Sequence, residues 1–165
     1  MRKIMLMLVT SSLALANSAA AATWNYISAG NDRTLYFFDA DTVERSPGNV
    51  TLWVKTVQTR QPDTDGSWAS ALRWKLNCSA RTIQTLAWST YNNSGEFISS
   101  NNNPSKPQPV IPDSIGEAVL KIACEADFPR NTSGKNYFKL DNNDVFKARD
   151  NWVNYQNSHT DLAPE

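Results

Sequence analysis

The chain has 165 residues, and its 16 basic and 16 acidic side chains give a formal net charge of zero. This balance gives no reason to expect nucleic acid as a partner. The length is sufficient for one domain with its own core, and two cysteines in an exported chain favour one disulfide over a metal site.

The first 22 residues are typical of an export signal. Arg2 and Lys3 form a charged start, residues 4–16 are mostly apolar, and Ala19–Ala22 offers small residues for cleavage. Because the apolar stretch is short for a bilayer span, we predict a cleaved signal peptide over residues 1–22, with an uncleaved membrane anchor as the alternative. The stretch contains no cysteine, so a lipid anchor is not expected. The predicted destination is the periplasm or the outer cell surface.

Alternation of apolar and polar residues predicts a sheet built around residues 71–78. One face of this strand carries Leu72, Trp74, Leu76 and Cys78, and the other carries Arg73, Lys75 and Asn77. Further strands are predicted over residues 24–27, 34–38, 50–59, 81–91 and 96–98, separated by turn sequences. The pattern indicates an α+β fold whose sheet is a meander of about six antiparallel strands.

One amphipathic helix is clearly marked after a polar, proline-rich connector over residues 99–112, which is predicted to cross the surface. A capping-box pattern at Ser114 and Glu117 starts the helix, apolar residues recur at helical spacing, and the helix is predicted to end near Cys124. Since Cys78 and Cys124 both point toward the core, we predict that they form a disulfide that holds the helix on one face of the sheet.

The remaining residues, 128–165, are predicted to form a C-terminal extension to a domain that spans residues 23–127. Tyr137–Leu140 resembles a short last strand. A second helix is predicted to start from Asp141 or Asn142 as its cap. Its apolar face would consist of Val145, Ala148, Trp152 and Tyr155.

No catalytic, cofactor-binding or metal-binding residues are predicted, and the chain is not expected to be an enzyme. The single histidine, His159, lies near the end of the chain, which argues against a histidine-based triad. Two carboxylate pairs, Asp39 with Asp41 and Asp63 with Asp65, lie in turn sequences and are expected to bond the local backbone. The sequence has no calcium loop, phosphate loop or zinc spacing.

The polar face of the sheet is the candidate contact surface. Trp53 and Lys55 on one strand would share it with Arg73 and Lys75 on the next, provided that the two strands pair. Aromatic and basic groups together offer apolar area and charge-assisted hydrogen bonds, which suits binding to a protein partner. With one helix on the opposite face, this face is predicted to be open. The alternative is that Trp53 packs in a second layer and the basic groups are only solvated.

Several motifs occur in an order that resembles a known family. They are Trp24, Leu35–Asp39, Val50–Lys55, Asn77–Arg81 and Pro112–Glu117, with the last closing on Cys124. In this order, with both cysteines in place, they resemble the bacterial surface-adhesin protein E family. The resemblance implies an antiparallel sheet with one disulfide-bonded helix. It also implies a Gram-negative cell-surface protein that binds host vitronectin, laminin or plasminogen, and it makes a homodimer a hypothesis.

Two functions therefore stay open. The first is an exported adhesin that binds host extracellular-matrix or plasma proteins through a surface of its sheet. The alternative is a soluble periplasmic binding or inhibitor module with the same fold and no adhesive role, which the lack of a lipid-attachment cysteine favours.

Overall fold

The computed structural model describes residues 22–126, 128–129, 138–140 and 144–159, so residues 1–21 of the predicted signal peptide lie outside the described residues. Within them, nine strands belong to one sheet. They are β1 (Trp24–Ala29), β2 (Leu35–Asp39), β3 (Glu44–Ser46), β4 (Asn49–Val57), β5 (Ala69–Asn77), β6 (Thr82–Tyr91), β7 (Phe97–Asn101), β8 (Gln108–Pro109) and β9 (Phe138–Lys139). The two described α-helices are α1 (Ile115–Ala123) and α2 (Val145–His159).

The strands follow the order β7-β6-β5-β4-β2-β1-β9, and every pairing is antiparallel. Two short strands complete the sheet, since β3 pairs with β4 beside β2, and β8 pairs with β6 beside β7. The antiparallel α+β prediction is confirmed. The sheet is larger than the predicted six strands because β3, β8 and β9 add short pieces at its margins.

The first face of the sheet packs against α1. Its buried cluster includes Phe38, Leu52 and Leu76 from the strands and Val119 and Leu120 from the helix. Burial of apolar side chains of this size stabilises the fold by about 1.5–3 kcal/mol each. Leu76 is buried in this cluster and Trp74 packs against it, which is why these residues alternate with polar residues in the sequence.

The predicted disulfide between Cys78 and Cys124 is present and joins the end of β5 to the C-cap of α1. It closes a separation of 46 residues, for which the chain-entropy model gives about 4 kcal/mol. Arg45 adds a second restraint at the same helix end. Its guanidinium donates to the carbonyl oxygen of Ala123 at 3.0 Å, one of the groups that a helix end leaves without a partner in the helix. It also donates to the carbonyl oxygen of Phe128, beyond the helix, at 2.9 Å.

The N-terminus of α1 has the predicted cap. The backbone N–H of Glu117 donates to the Ser114 hydroxyl oxygen at 3.2 Å. The Glu117 carboxylate accepts from the Asp113 backbone N–H at 3.0 Å, contacts Lys121 at 3.2 Å and pairs with Arg81. These bonds, the one from Asp113 first and those from Lys121 next, lower the pKa of Glu117 below 4.5.

The second face of the sheet packs against α2. Val145 is buried, and Ala148 and Trp152 pack against the same cluster. Asp144 lies just before the helix, and its carboxylate accepts the backbone N–H groups of Phe146 at 3.0 Å and Lys147 at 3.1 Å. The caps expected at residues 141 and 142 lie outside the described residues. Tyr155 was predicted to lie on the buried face of α2, but it is 58% exposed and does not belong to that face.

Candidate partner-binding surface

The strand register divides the second face of the sheet into two halves. The half that we call the covered half consists of two cross-strand rows, Leu35–Val57–Ala69–Tyr91 and Phe37–Lys55–Ala71–Ser89. The half that we call the open half consists of the next two rows, Trp53–Arg73–Ala87 and Glu44–Thr51–Lys75–Gln84. The predicted pairing of Trp53 and Lys55 with the strand of Arg73 and Lys75 is therefore present.

The covered half lies under α2, which corrects the expectation that this whole face is open. Leu35, Phe37, Val57 and Ala69 are buried there together with Val145 of the helix. The expectation failed because it assigned one helix to the sheet, whereas apolar residues in this half give α2 a surface on which to pack.

Lys55 is the predicted surface residue that the structure places in the covered half. Its Nζ atom lies 5.1 Å from the ring centroids of both Trp24 and Tyr91, and 5.9 Å from that of Phe146. These are cation–π distances. Burial lowers the pKa of Lys55 below 10.5, and the nearby Asp144 carboxylate partly opposes this shift. Lys55 therefore contributes to the docking of α2 and is not part of the open half.

A second cation supports the same helix. The Arg149 guanidinium lies 5.4 Å from the Phe146 ring centroid and 5.8 Å from that of Trp68. It also donates to the Asn93 side-chain oxygen at 2.6 Å, which links α2 to the turn between β6 and β7. Cations enclosed by aromatic rings thus supplement the apolar contacts of α2.

The open half presents one aromatic ring beside basic groups. Trp53 is only partly buried, and within the described residues it belongs to neither buried cluster. Arg73 lies directly opposite Trp53 in the register. Its guanidinium contacts both carboxylate oxygens of Glu44, at 3.1 and 3.2 Å, and its side chain is 38% exposed. Lys75, in the next row, is exposed.

Sequence reasoning missed Glu44 as a member of this surface. All three residues of β3 are exposed, so this strand has no alternation of apolar and polar residues to reveal it. Only the pairing of Glu44 with Thr51 brings the carboxylate onto the open half. The Ser-Pro-Gly-Asn turn at residues 46–49, which connects β3 to β4, was the available signal for a hairpin.

The open half can bind a protein surface by two kinds of contact. The Trp53 ring offers apolar area of the kind enriched at interface cores. Arg73 and Lys75 offer donors for carboxylates, and Arg73 already donates to one carboxylate, that of Glu44, through its Nη2 atom. The exposed Glu44, whose side chain is 66% exposed, can move aside when a partner carboxylate replaces it.

The described residues hold no cluster of three or more His, Cys, Asp or Glu side chains that could bind a metal ion. The carboxylate pairs bond their own turns. Asp39 accepts from the Asp41 backbone N–H at 3.1 Å, and Asp65 accepts from that of Ser67 at 2.9 Å. The hydroxyl and backbone bonds from Ser67 lower the pKa of Asp65. These carboxylates have the turn roles that the sequence indicates.

Neither α-helix in the described part of the chain is both long enough and apolar enough to cross a membrane. The sequence profile of the surface-adhesin protein E family matches residues 24–125. The chain therefore belongs to the surface-adhesin protein E family. The match lies within the predicted domain at residues 23–127 and ends before α2, although that domain boundary stays a prediction. No protein with a curated description matches the chain.

Solved structures of Haemophilus influenzae protein E are similar to this chain. Crystal form II is 15% identical, with 60% of this chain and 86% of that chain covered and a TM-score of 0.43. The selenomethionine form is 15% identical, with coverage of 60% and 84% and a TM-score of 0.44. A third structure, from non-typeable H. influenzae, is 14% identical, with coverage of 76% and 88% and a TM-score of 0.37. Similarity at this level transfers no residue role.

Proposed function

We propose that this protein is an exported adhesin that binds a host protein through the open half of its sheet. Membership of the surface-adhesin protein E family supports an exported protein with protein partners. The observation that carries the proposed site is the grouping of Trp53, Arg73 and Lys75 on the half of the face that α2 leaves uncovered. The protein is proposed to act by binding, without enzymatic activity.

Vitronectin, laminin and plasminogen are the proposed partners to test first, since the family resemblance implies them. The chemistry of the open half favours a region of the partner that carries Asp or Glu beside an apolar side chain. Carboxylates would pair with Arg73 and Lys75, and the apolar group would cover the Trp53 ring.

The contribution of charge can be tested with Lys75→Ala and a matched control, Lys121→Ala. Both lysines are exposed, but Lys121 lies on α1, on the opposite side of the sheet. We expect Lys75→Ala to slow association with an immobilised partner at low salt, with a smaller difference at high salt, because exposed charges steer association. Lys121→Ala should associate like the parent. Equal association rates for both variants would contradict the proposed role of the open half.

The location in the cell separates the adhesin from the periplasmic module. Labelling of intact cells with a membrane-impermeant reagent should modify an adhesin at the outer surface. Labelling only after the outer membrane is opened would instead favour the periplasmic binding or inhibitor module. Sedimentation of the parent and of Arg73→Ala would report whether the open half also joins two copies of the chain.

A further inference from the structure

The outer edge of β7 is a second surface that can bind protein. β7 is the last strand in the sheet order, and within the described residues only β6 pairs with it. Edge strands of this kind present unpaired backbone N–H and C=O groups, which natural proteins protect with proline, charge or short length. The way in which this chain protects its edges differs from one strand to the next.

The other described edges carry such protection. β9 has two residues, and β8 ends in Pro109. The Val110 N–H donates to the carbonyl oxygen of Arg81, the residue just before β6, at 2.9 Å. Its neighbour Pro109, which pairs with Thr82, therefore occupies an outward position, where no N–H is available. Lys106 lies just before β8, after Ser105, whose N–H donates to Thr85 at 2.8 Å.

β7 itself has no such protection. Its sequence, Phe-Ile-Ser-Ser-Asn, contains neither proline nor charge. The Trp68 N–H donates to Tyr91 O, so Tyr91 directs its backbone toward β5 and Thr90 directs its own toward β7. Ser99 is the partner of Thr90 and therefore faces β6. The backbone N–H and C=O of Ser100 consequently point outward.

Two large apolar side chains on β7 are exposed beside this open edge. Phe97 is 62% exposed and Ile98 is 43% exposed. The ring of Phe97 is held against Tyr91 with centroids 6.5 Å apart in an edge-to-face arrangement. A strand that pairs with β7 would therefore gain apolar contacts at positions that are already ordered.

We propose that the outer edge of β7 binds an extended segment of another protein, which adds a strand to the sheet. A second copy of this chain fits less well. Antiparallel pairing of two copies about Ser100 would place Ile98 opposite Asn102 and Phe97 opposite Asn103, so that both apolar side chains would meet amides. A different protein can offer apolar residues at those two positions and polar residues opposite Ser100 and Asn101.

The test uses ten-residue peptides displayed on phage, selected on the parent protein with counter-selection on Ser100→Pro. Ser100→Pro removes the outward N–H, whereas the matched control Ser100→Ala removes the same hydroxyl and keeps the N–H. Selected peptides, once synthesised, should bind Ser100→Ala within about twofold of the parent and Ser100→Pro at least tenfold more weakly. Failure to select any peptide, or equal binding to both variants, would overturn the proposal.

A second measurement does not depend on the folding of Ser100→Pro. In the parent protein, the selected peptide should slow amide hydrogen exchange at Ser100 by about tenfold or more, because the outward N–H becomes bonded. Exchange at Ser100 that is unchanged in the saturated complex would overturn the proposal. If the parent alone forms a dimer that Ser100→Pro abolishes, the occupant is a second copy and the proposed partner is wrong. The edge of β7 and the open half are separate surfaces, so each can fail without the other.

Discussion

The covered and open halves of the second sheet face belong to the same strands but have different chemistry. In the covered half, Phe37 and Val57 are buried and even the cation Lys55 is enclosed by aromatic rings. In the open half, Trp53 lies two residues from Lys55 along β4, and Arg73 lies two residues from Ala71 along β5. One helix packs on the first half and leaves the second to solvent.

This difference shows that α2 packs on the apolar part of the sheet face and not on the whole face. The covered half offers the buried apolar side chains of Leu35, Phe37, Val57 and Ala69 to α2. Arg73, Lys75 and Glu44 offer only groups that would lose water on burial. The cost of burying those charges limits how much of the face a helix can cover.

The largest expected effect compares one large side chain from each half. Phe37→Ala should lower the free energy of unfolding by about 3–5 kcal/mol, because Phe37 is fully buried and its removal leaves a cavity. Trp53→Ala should cost about 1 kcal/mol or less, as expected for a partly exposed side chain outside both clusters. Urea unfolding measures both values. Similar losses for the two variants would show that Trp53 is a core residue.

The next effect concerns the docking of α2. Trp152→Ala should cost about 1–3 kcal/mol, because this half-buried side chain packs against the covered half. The control is Tyr155→Ala on the same helix, which should cost much less, since Tyr155 is 58% exposed. Thermal unfolding and dye binding to apolar surface would follow both variants. An increase in dye binding for Tyr155→Ala but not for Trp152→Ala would reverse our assignment of the buried helix face.

Lys55 makes the stability contributed by the covered half dependent on pH. Its pKa is lowered from 10.5 in the folded state, so the unfolded chain binds more protons in the range between the two values. The parent should therefore gain stability relative to Lys55→Met as pH rises toward 10.5, and this difference should level off above it. Unfolding of both proteins at a series of alkaline pH values measures the difference. A constant difference would show that Lys55 keeps its solvent pKa.

The smallest expected effect belongs to the ion pair of the open half. Arg73 and Glu44 are both solvent-exposed, so a double-mutant cycle with Arg73→Ala and Glu44→Ala should give a coupling of about 1 kcal/mol or less. Added salt should reduce this coupling further. A much larger coupling would indicate that the pair stabilises the fold, and Arg73 would then be less available to a partner.

The parts of the fold that sequence could predict were those with strong periodicity. Alternation around Leu72 and Trp74, and the cap at Ser114, identified β5 and α1, and the disulfide between Cys78 and Cys124 is confirmed. β3 was not predicted because Glu44–Ser46 is exposed throughout. β8 was not predicted because it pairs only two residues at an edge.

The candidate site was predictable in part for a related reason. Strand periodicity placed Trp53, Lys55, Arg73 and Lys75 on one face, which the register shows. Periodicity cannot say which residues of a face a distant segment will cover. The enclosure of Lys55 depends on Phe146, which is far along the chain, and no local pattern around Lys55 reveals that contact.

The most direct test of the open half is the affinity of Trp53→Ala for an immobilised host protein that the parent binds, with vitronectin and laminin measured first. We predict a loss of about 30-fold or more, which corresponds to the 2 kcal/mol or more expected of an interface anchor. Lys121→Ala, on the opposite face, should stay within about threefold of the parent. If Trp53→Ala has the parent's unfolding curve and also binds with the parent's affinity, the open half is not the binding surface.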